Sequence, residues 1–204
     1  GRKIIWLKSE STLPFTTCTT ASPTYDDLTW YNFYTNKEDQ YIVRYNSTDE
    51  AFNTKGDDGS RYARTSHFAF VGDPFELKIV SRQVTDDNSG TLRYLKLNDP
   101  VTGNITQDAT GTAWDVVYDD NTGDYVSCFR LREFTTTNNS TNYLGWDYGT
   151  GNYPLKGVTT EATATRLNVI PVPTKTYIYH IMRSDHSIAA KASISQDAST
   201  KLES

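Results

Sequence analysis

Long apolar runs are absent from this 204-residue sequence, and no stretch approaches the roughly 20 residues that a membrane-spanning helix needs. Sustained apolar spacing at i, i+3 and i+4 is also missing, which argues against amphipathic helices. Basic residues are outnumbered, with 20 Lys and Arg against 25 Asp and Glu and a net charge of −5. Because nucleic-acid binding relies on clustered positive charge, we expect neither nucleic acid nor membrane insertion.

Cysteine and histidine are scarce as well. Cys18 and Cys128 are too few for a disulfide framework. Cys128 lies in an alternating apolar pattern and is predicted to be a buried free thiol, with a bridge to Cys18 as the alternative. His67, His180 and His186 are scattered without metal-ligand spacing, and the sequence has neither Gly-x-Ser-x-Gly nor a phosphate-binding glycine loop. We therefore expect a protein that is not an enzyme and uses no metal or cofactor.

The residues that are abundant favour strands. Aromatic residues make up 13% of the chain, with 14 Tyr, whereas there is only one Met. Tyr, Thr and Val fit a pleated surface, so this bias indicates an all-β protein. Apolar residues at 36% and charged residues at 22% are typical of a globular domain.

A unit of four short strands occurs three times along the chain. Each unit opens on an alternating strand, continues through a strand that begins with Tyr and a third strand, and closes on an apolar-x-apolar strand. Phe68 and Trp114 in the closing strands are 46 residues apart, and Trp114 and Leu167 are 53 apart. The predicted strands are 30–35, 41–45, 51–54 and 68–70, then 75–80, 94–97, 104–107 and 114–116, then 128–133, 143–146, 153–156 and 167–169.

Three such units predict an all-β β-trefoil over residues 25–173. A four-strand unit cannot bury its apolar face alone, but three copies around a pseudo-threefold axis bury that face together and pair most strand edges. A β-sandwich is the alternative, because regularly spaced short strands also occur there.

The two ends lie outside the repeat. Residues 1–24 contain an apolar strand at 3–7 and then a stretch rich in Ser, Thr and Pro, which predicts an extra strand or a linker. Residues 174–204 predict a C-terminal β-hairpin from 177–182 and 188–194, or the start of a following domain. An isolated hairpin is marginally stable, so we expect it to pack on the trefoil or to belong to the next domain of a longer protein.

Several motifs also carry a resemblance to a known family. They are residues 12–16, Trp30 with Tyr31, residues 68–75 followed by Lys78 and Ile79, and the segments 177–181 and 188–192. In these the chain resembles ricin-type β-trefoil lectins, and more narrowly the lectin-like modules of large secreted or surface proteins of gut anaerobic bacteria. The resemblance implies a secreted or cell-surface protein whose signal peptide lies outside this sequence.

Candidate ligand-binding residues cluster at the hairpin of the third unit. The set is Trp146, Asp147, Tyr148, Asn152 and Tyr153, around a turn that contains Gly149 and Gly151. An aromatic ring can stack on the apolar face of a sugar while carboxylate and amide groups bind its hydroxyls. We therefore expect stacking by Trp146, Tyr148 or Tyr153 and hydrogen bonding by Asp147 and Asn152. Alternatively, the aromatic residues alternate into the core.

The other two hairpins are weaker candidates. The first contains Tyr45, Asn46 and Asp49, and the second has polar turn residues without an aromatic residue. Such Asn and Asp side chains commonly satisfy backbone donors in turns. The second set is Asn98, Asp99, Asn104 and Gln107.

Two functions remain open from the sequence. One is a non-catalytic carbohydrate-binding, lectin-like module whose partner is a polysaccharide or glycoprotein glycan. The other is an adhesion module that binds a host or surface protein and no longer binds sugar. The Trp146–Tyr153 cluster favours the first. The second is favoured by the closing strands, which contain no Gln where the ricin-type pattern has Gln-x-Trp.

Overall fold

The computed structural model describes residues 13–35, 41–47, 51–56, 59–73, 76–118, 128–137, 139–147 and 153–172, and the strands at 174–182 and 188–197. These residues form fifteen strands and one short α-helix, α1 (Arg82–Asp87). The strands are β1 (Thr17–Cys18), β2 (Tyr31–Thr35), β3 (Tyr41–Asn46), β4 (Ala51–Lys55), β5 (His67–Asp73), β6 (Glu76–Ser81), β7 (Tyr94–Lys96), β8 (Thr106–Asp108), β9 (Trp114–Tyr118), β10 (Phe129–Glu133), β11 (Tyr143–Trp146), β12 (Leu155–Val158), β13 (Leu167–Pro171), β14 (Thr174–Met182) and β15 (Ile188–Asp197).

Strand pairing follows the same order in each of three successive sets of four strands. In the first set, β2 pairs with β3 and β5, and β3 pairs with β4, all antiparallel. The sets that begin at β6 and β10 repeat this order. The last strand of each set pairs with the first strand of the next, and β13 pairs back to β2. Six strands therefore close into a barrel, and the hairpins β3–β4, β7–β8 and β11–β12 form what we call the cap.

The register places corresponding side chains of the three sets in shared layers of the core. Phe68, Trp114 and Leu167 pair with equivalent positions of β2, β6 and β10, and all three are fully buried. These are the residues predicted to open the closing strands. Burial of such large side chains contributes about 1.5–3 kcal/mol each. The buried cap residues from the three sets are Val43, Leu95 and Leu144, together with Phe52, Ile105 and Leu155.

The N-terminal segment packs on the barrel from residue 13 onward. Phe15 is buried, and its ring stacks on Phe70 with centroids 3.6 Å apart. The backbone N–H of Thr16 donates to the Tyr31 hydroxyl at 2.8 Å. β1 then pairs in parallel with β5. The predicted strand at 3–7 lies outside the described residues.

The C-terminal hairpin is present as predicted. β14 and β15 pair antiparallel from Thr174 opposite Asp197 to Met182 opposite Ile188, with a register shift between Ile181 and Met182. Both cysteines are free thiols, and Cys128 is buried, as the apolar pattern around it predicted.

Three local features differ from the sequence prediction. The predicted strand 153–156 begins two residues later, at β12, because Tyr153 has a φ of 44° and is not extended. α1 occupies a segment without helical periodicity, because six residues are too few to establish a 3.6-residue pattern. The predicted strand 104–107 begins later, at β8, because residues 98–104 form a turn that is closed by a hydrogen bond from Asn98 Nδ2 to the Asn104 carbonyl at 2.5 Å.

The second and third hairpins are in close contact. The Ile105 N–H donates to the Leu155 carbonyl at 2.9 Å, and the Gly157 N–H donates to the Gly103 carbonyl at 3.2 Å. A Cβ on Gly157 would overlap the carbonyl oxygen of Val101, which is backbone and cannot rotate away. Only glycine fits this contact between the two hairpins.

Gly157→Ala should therefore destabilise the protein by about 2 kcal/mol or more, because the hairpins must separate to admit the methyl group. Gly56→Ala is the matched control, since a Cβ there has no atom within 4 Å. We expect the control to stay within about 0.5 kcal/mol of the wild type in urea unfolding. Equal stability of the two variants would contradict the predicted contact.

Asp108 closes the turn that follows β8. Its Oδ1 accepts hydrogen bonds from the N–H groups of Thr110 at 2.8 Å and Gly111 at 2.6 Å, and its Oδ2 pairs with Lys96. Desolvation of the carboxyl group would raise the pKa of Asp108, but the hydrogen bonds from Gly111, Lys96 and Thr110 lower it further than desolvation raises it. The folded state therefore favours the charged carboxylate.

Asp108→Asn should reduce the free energy of unfolding at pH 7 by about 1 kcal/mol. Because the folded-state pKa lies below the unfolded value of about 3.9, the contribution is complete above that pH and is lost as the pH falls below it. Urea unfolding at pH 7, 5 and 3 should show the difference from wild type shrinking at pH 3. The exposed Asp26→Asn serves as control, and a gap that stays constant with pH would contradict the account.

Candidate functional site

The third hairpin holds the residues that the sequence indicated for ligand binding. Trp146 lies opposite Leu155 in the pairing of β11 and β12. The Asp147 N–H then donates to the Pro154 carbonyl at 2.9 Å, which brings Asp147 opposite the residue that follows Tyr153. Tyr148 and Asn152 lie outside the described residues.

Trp146 is a core residue. Its side chain is only 4% exposed, and it packs in the hydrophobic cluster with Leu144 and Leu155. The register explains this burial, because Trp146 occupies the same cap position in its hairpin as Tyr45, which lies opposite Phe52 in the first hairpin. Trp146 thus has no ring face open to solvent. Its ring packs against the rings of Tyr41 and Tyr153.

Tyr153 is half-buried and lies against this core. Its backbone has a φ of 44°, in the left-handed region that non-glycine residues seldom adopt. Its ring centroid is 5.7 Å from that of Trp146 and 5.5 Å from that of Tyr41. Its carbonyl accepts a hydrogen bond from Thr54 Oγ1 at 3.4 Å, which connects the third hairpin to the first.

Asp147 brings charge to the same hairpin. Its Oδ2 is 3.4 Å from Nζ of Lys156, and the two side chains are 37% and 30% exposed. A partly exposed ion pair of this kind contributes little to stability, roughly 0–1 kcal/mol, so its groups can exchange partners with a polar ligand at small cost. The hairpin thus combines a half-buried aromatic ring with an ionised acceptor and an ionised donor.

Sequence reasoning missed two residues of this group. The sequence pattern predicts only a strand at Lys156, although its position one residue beyond Leu155 on an alternating strand places it on the outer face. At Tyr41 the pattern predicts only the start of a strand in another unit, and no local pattern connects it to Tyr153. That contact follows from closure of the cap.

The other two hairpins contain the weaker candidates. In the second, Asn98 donates to the Asn104 carbonyl and accepts from Thr106 Oγ1 at 2.6 Å, as expected for turn-forming residues. In the first, Tyr45 packs on Phe52 with ring centroids 5.7 Å apart, and Asp49 lies outside the described residues.

A buried polar cluster lies on the outer side of β5. His67 is fully buried, with Nε2 3.0 Å from the Arg61 carbonyl and Nδ1 3.1 Å from Nη1 of Arg82. Arg82 Nε donates to the Tyr25 hydroxyl at 2.6 Å. Burial raises the pKa of Tyr25, and the neighbouring Arg82 opposes that change. Since both ring nitrogens of His67 are hydrogen bonded inside the protein, we assign this cluster a structural role.

Across the described ranges, no group of three or more His, Cys, Asp and Glu side chains could hold a metal ion. No helix in the same part of the chain is long and apolar enough to cross a membrane.

Comparison with known proteins supports the fold. No family model matches this sequence, and no curated protein matches it. The structure is similar to a ricin B-like lectin of Macrolepiota procera, solved in complex with lactose, with a TM-score of 0.51, 14% identity, and coverage of 75% of this chain and 99% of the lectin.

A mosquitocidal holotoxin is similar as well. Its TM-score is 0.52 at 13% identity, over 80% of this chain, and the match spans 21% of the holotoxin's length. At these identities the likeness concerns the fold alone. Together with the closed barrel and its three hairpins, it confirms the all-β, β-trefoil fold that the repeats predicted.

Proposed function

We propose that this chain is a non-catalytic carbohydrate-binding module and that its glycan site is the third hairpin. The observation that carries the proposal is that one hairpin holds both the half-buried Tyr153 ring and the partly exposed Asp147–Lys156 ion pair. Tyr153 stacks on the apolar face of a sugar, and Asp147 accepts hydrogen bonds from its hydroxyl groups. Tyr148 and Asn152 remain predictions from the sequence, because they lie outside the described residues.

The architecture of the cap makes such a site favourable. Trp146 and Thr54 hold Tyr153 in place from two sides, so little side-chain freedom is lost when a ligand binds. The partly exposed charges of Asp147 and Lys156 offer charge-assisted hydrogen bonds, which are stronger than neutral ones. The lactose-bound lectin with the same fold supports the general class of ligand.

An adhesion module that binds protein is the second candidate. It is favoured by the closing strands, because Phe68, Trp114 and Leu167 serve the core and no Gln of the ricin-type pattern is present. We further propose, from the sequence resemblance, that the chain belongs to a large secreted or cell-surface protein of a gut anaerobe.

A glycan array probed with the purified chain, followed by calorimetric titration of a bound glycan, tests the proposal. Lactose is the first soluble probe. Tyr153→Ala and Asp147→Ala should each raise Kd by about tenfold or more, the equivalent of about 1.4 kcal/mol, because each removes a contact to the sugar.

Tyr62→Ala is the matched control, since Tyr62 is 42% exposed and lies in another segment. It should bind as the wild type does. Unchanged affinity in both site variants would rule out the third hairpin as the binding site. An array without any bound glycan would reject carbohydrate binding in favour of the protein-binding candidate.

A further inference from the structure

Tyr41 belongs to the first repeat, but its ring adjoins the aromatic residues of the third hairpin. It opens β3, opposite Thr35 of β2, and Thr35 Oγ1 donates to its carbonyl at 3.3 Å. Its ring centroid is 6.1 Å from that of Trp146 and 5.5 Å from that of Tyr153. Two rings that are 112 residues apart in sequence are therefore neighbours in the cap.

The hydroxyl group of Tyr41 is available to a ligand. The Tyr41 ring is half-buried against the core, yet within the described part of the chain its phenol oxygen has no hydrogen-bond partner. A phenol can both donate and accept a hydrogen bond. Tyr41 thus offers a polar group on a ring that packs against Tyr153.

The two rings form a corner. The planes of Tyr41 and Tyr153 meet at 64°, so the rings cannot both stack on successive sugars of an extended chain, which would need parallel faces. A sugar stacked on Tyr153 would have the Tyr41 ring at one edge, because the two ring planes meet at 64°. At that edge the Tyr41 hydroxyl would bond the sugar, and the Tyr41 ring would oppose the attachment of a further sugar.

The corner occurs at one of the three hairpins. By strand register, the positions that correspond to Tyr41 are Arg93, which precedes β7, and Asn142, which precedes β11. Neither is aromatic. The same register aligns Leu155 with Ile105, so the position of Tyr153 is held by Gly103 in the second hairpin.

We propose that Tyr41 of the first repeat and Tyr153 of the third form one composite site across the repeat boundary, which selects the terminal sugar of a glycan. This inference rests on the proposed carbohydrate-binding function. It adds a binding residue that no hairpin motif contains, a preference for chain ends over chain interiors, and a stoichiometry of one glycan per chain.

The test compares matched glycans on the intact chain. The array carries glycans that end in lactose, N-acetyllactosamine or mannose, each printed through its reducing end with and without one further N-acetylglucosamine at the non-reducing end. The extended partner therefore buries the sugar that is terminal in the shorter glycan and ends in a different one. Wild type should bind the best of the shorter glycans at least tenfold more tightly than its extended partner. Calorimetry with the soluble form of that glycan should give one site per chain.

Tyr41→Ala should reduce this discrimination to about twofold or less, because it opens the edge of the corner. Tyr41→Phe keeps the ring, so it should retain the discrimination while affinity falls a few-fold through loss of the hydroxyl. A purely structural role for Tyr41 would weaken both glycans of a pair equally and leave their ratio unchanged. Tyr62→Ala is the control, and thermal unfolding of each variant verifies folding.

The outcomes separate this inference from the proposed function. One outcome is that wild type binds glycan, Tyr153→Ala abolishes binding, and Tyr41→Ala leaves the ratio of affinities for the shorter and extended glycans unchanged. In that case the glycan site at the third hairpin is supported and the composite corner is rejected. Equal wild-type binding of both members of a pair, or two or more sites per chain, also rejects it. An array without binding rejects the function and the inference together.

Discussion

Closure of the six-strand barrel is the constraint on which the rest of this structure depends. Each four-strand unit has one apolar face and open edges, and neither is satisfied until β13 pairs back to β2. Closure fixes the register of every neighbouring strand, and register decides which residues enter the core. The three buried side chains Phe68, Trp114 and Leu167 differ in size and shape, so the barrel conserves burial at these positions and not identity.

The cap is less constrained than the barrel. Its buried layer repeats in all three hairpins, but the residues beyond that layer do not contribute to closure and have diverged. In the second hairpin they form a turn in which Asn98 and Asp108 bond their own backbone. In the third, Asp147 and Tyr153 are both partly exposed. Among the described residues, the threefold order of the core therefore does not extend to the outer residues of the cap.

The sequence predicted the barrel well because its signals are local. Alternation and the spacing from Phe68 to Trp114 to Leu167 require only that like units repeat, and the structure places all three in equivalent registers. The site was harder to predict. Alternation alone could not tell that Trp146 points inward, because that depends on its register against Leu155. The contact of Tyr41 with Tyr153 depends on closure of the whole cap, which no window of sequence contains.

The burial of Trp146 clarifies how an aromatic cluster can serve binding. Three exposed rings would each lose rotational freedom on meeting a ligand, and would form an apolar patch in its absence. Here the largest ring is in the core, where it contacts both Tyr41 and Tyr153. The planes of the two tyrosine rings meet at 64°. The residue that most resembled a sugar platform in the sequence therefore supports two smaller, partly exposed rings from two different repeats.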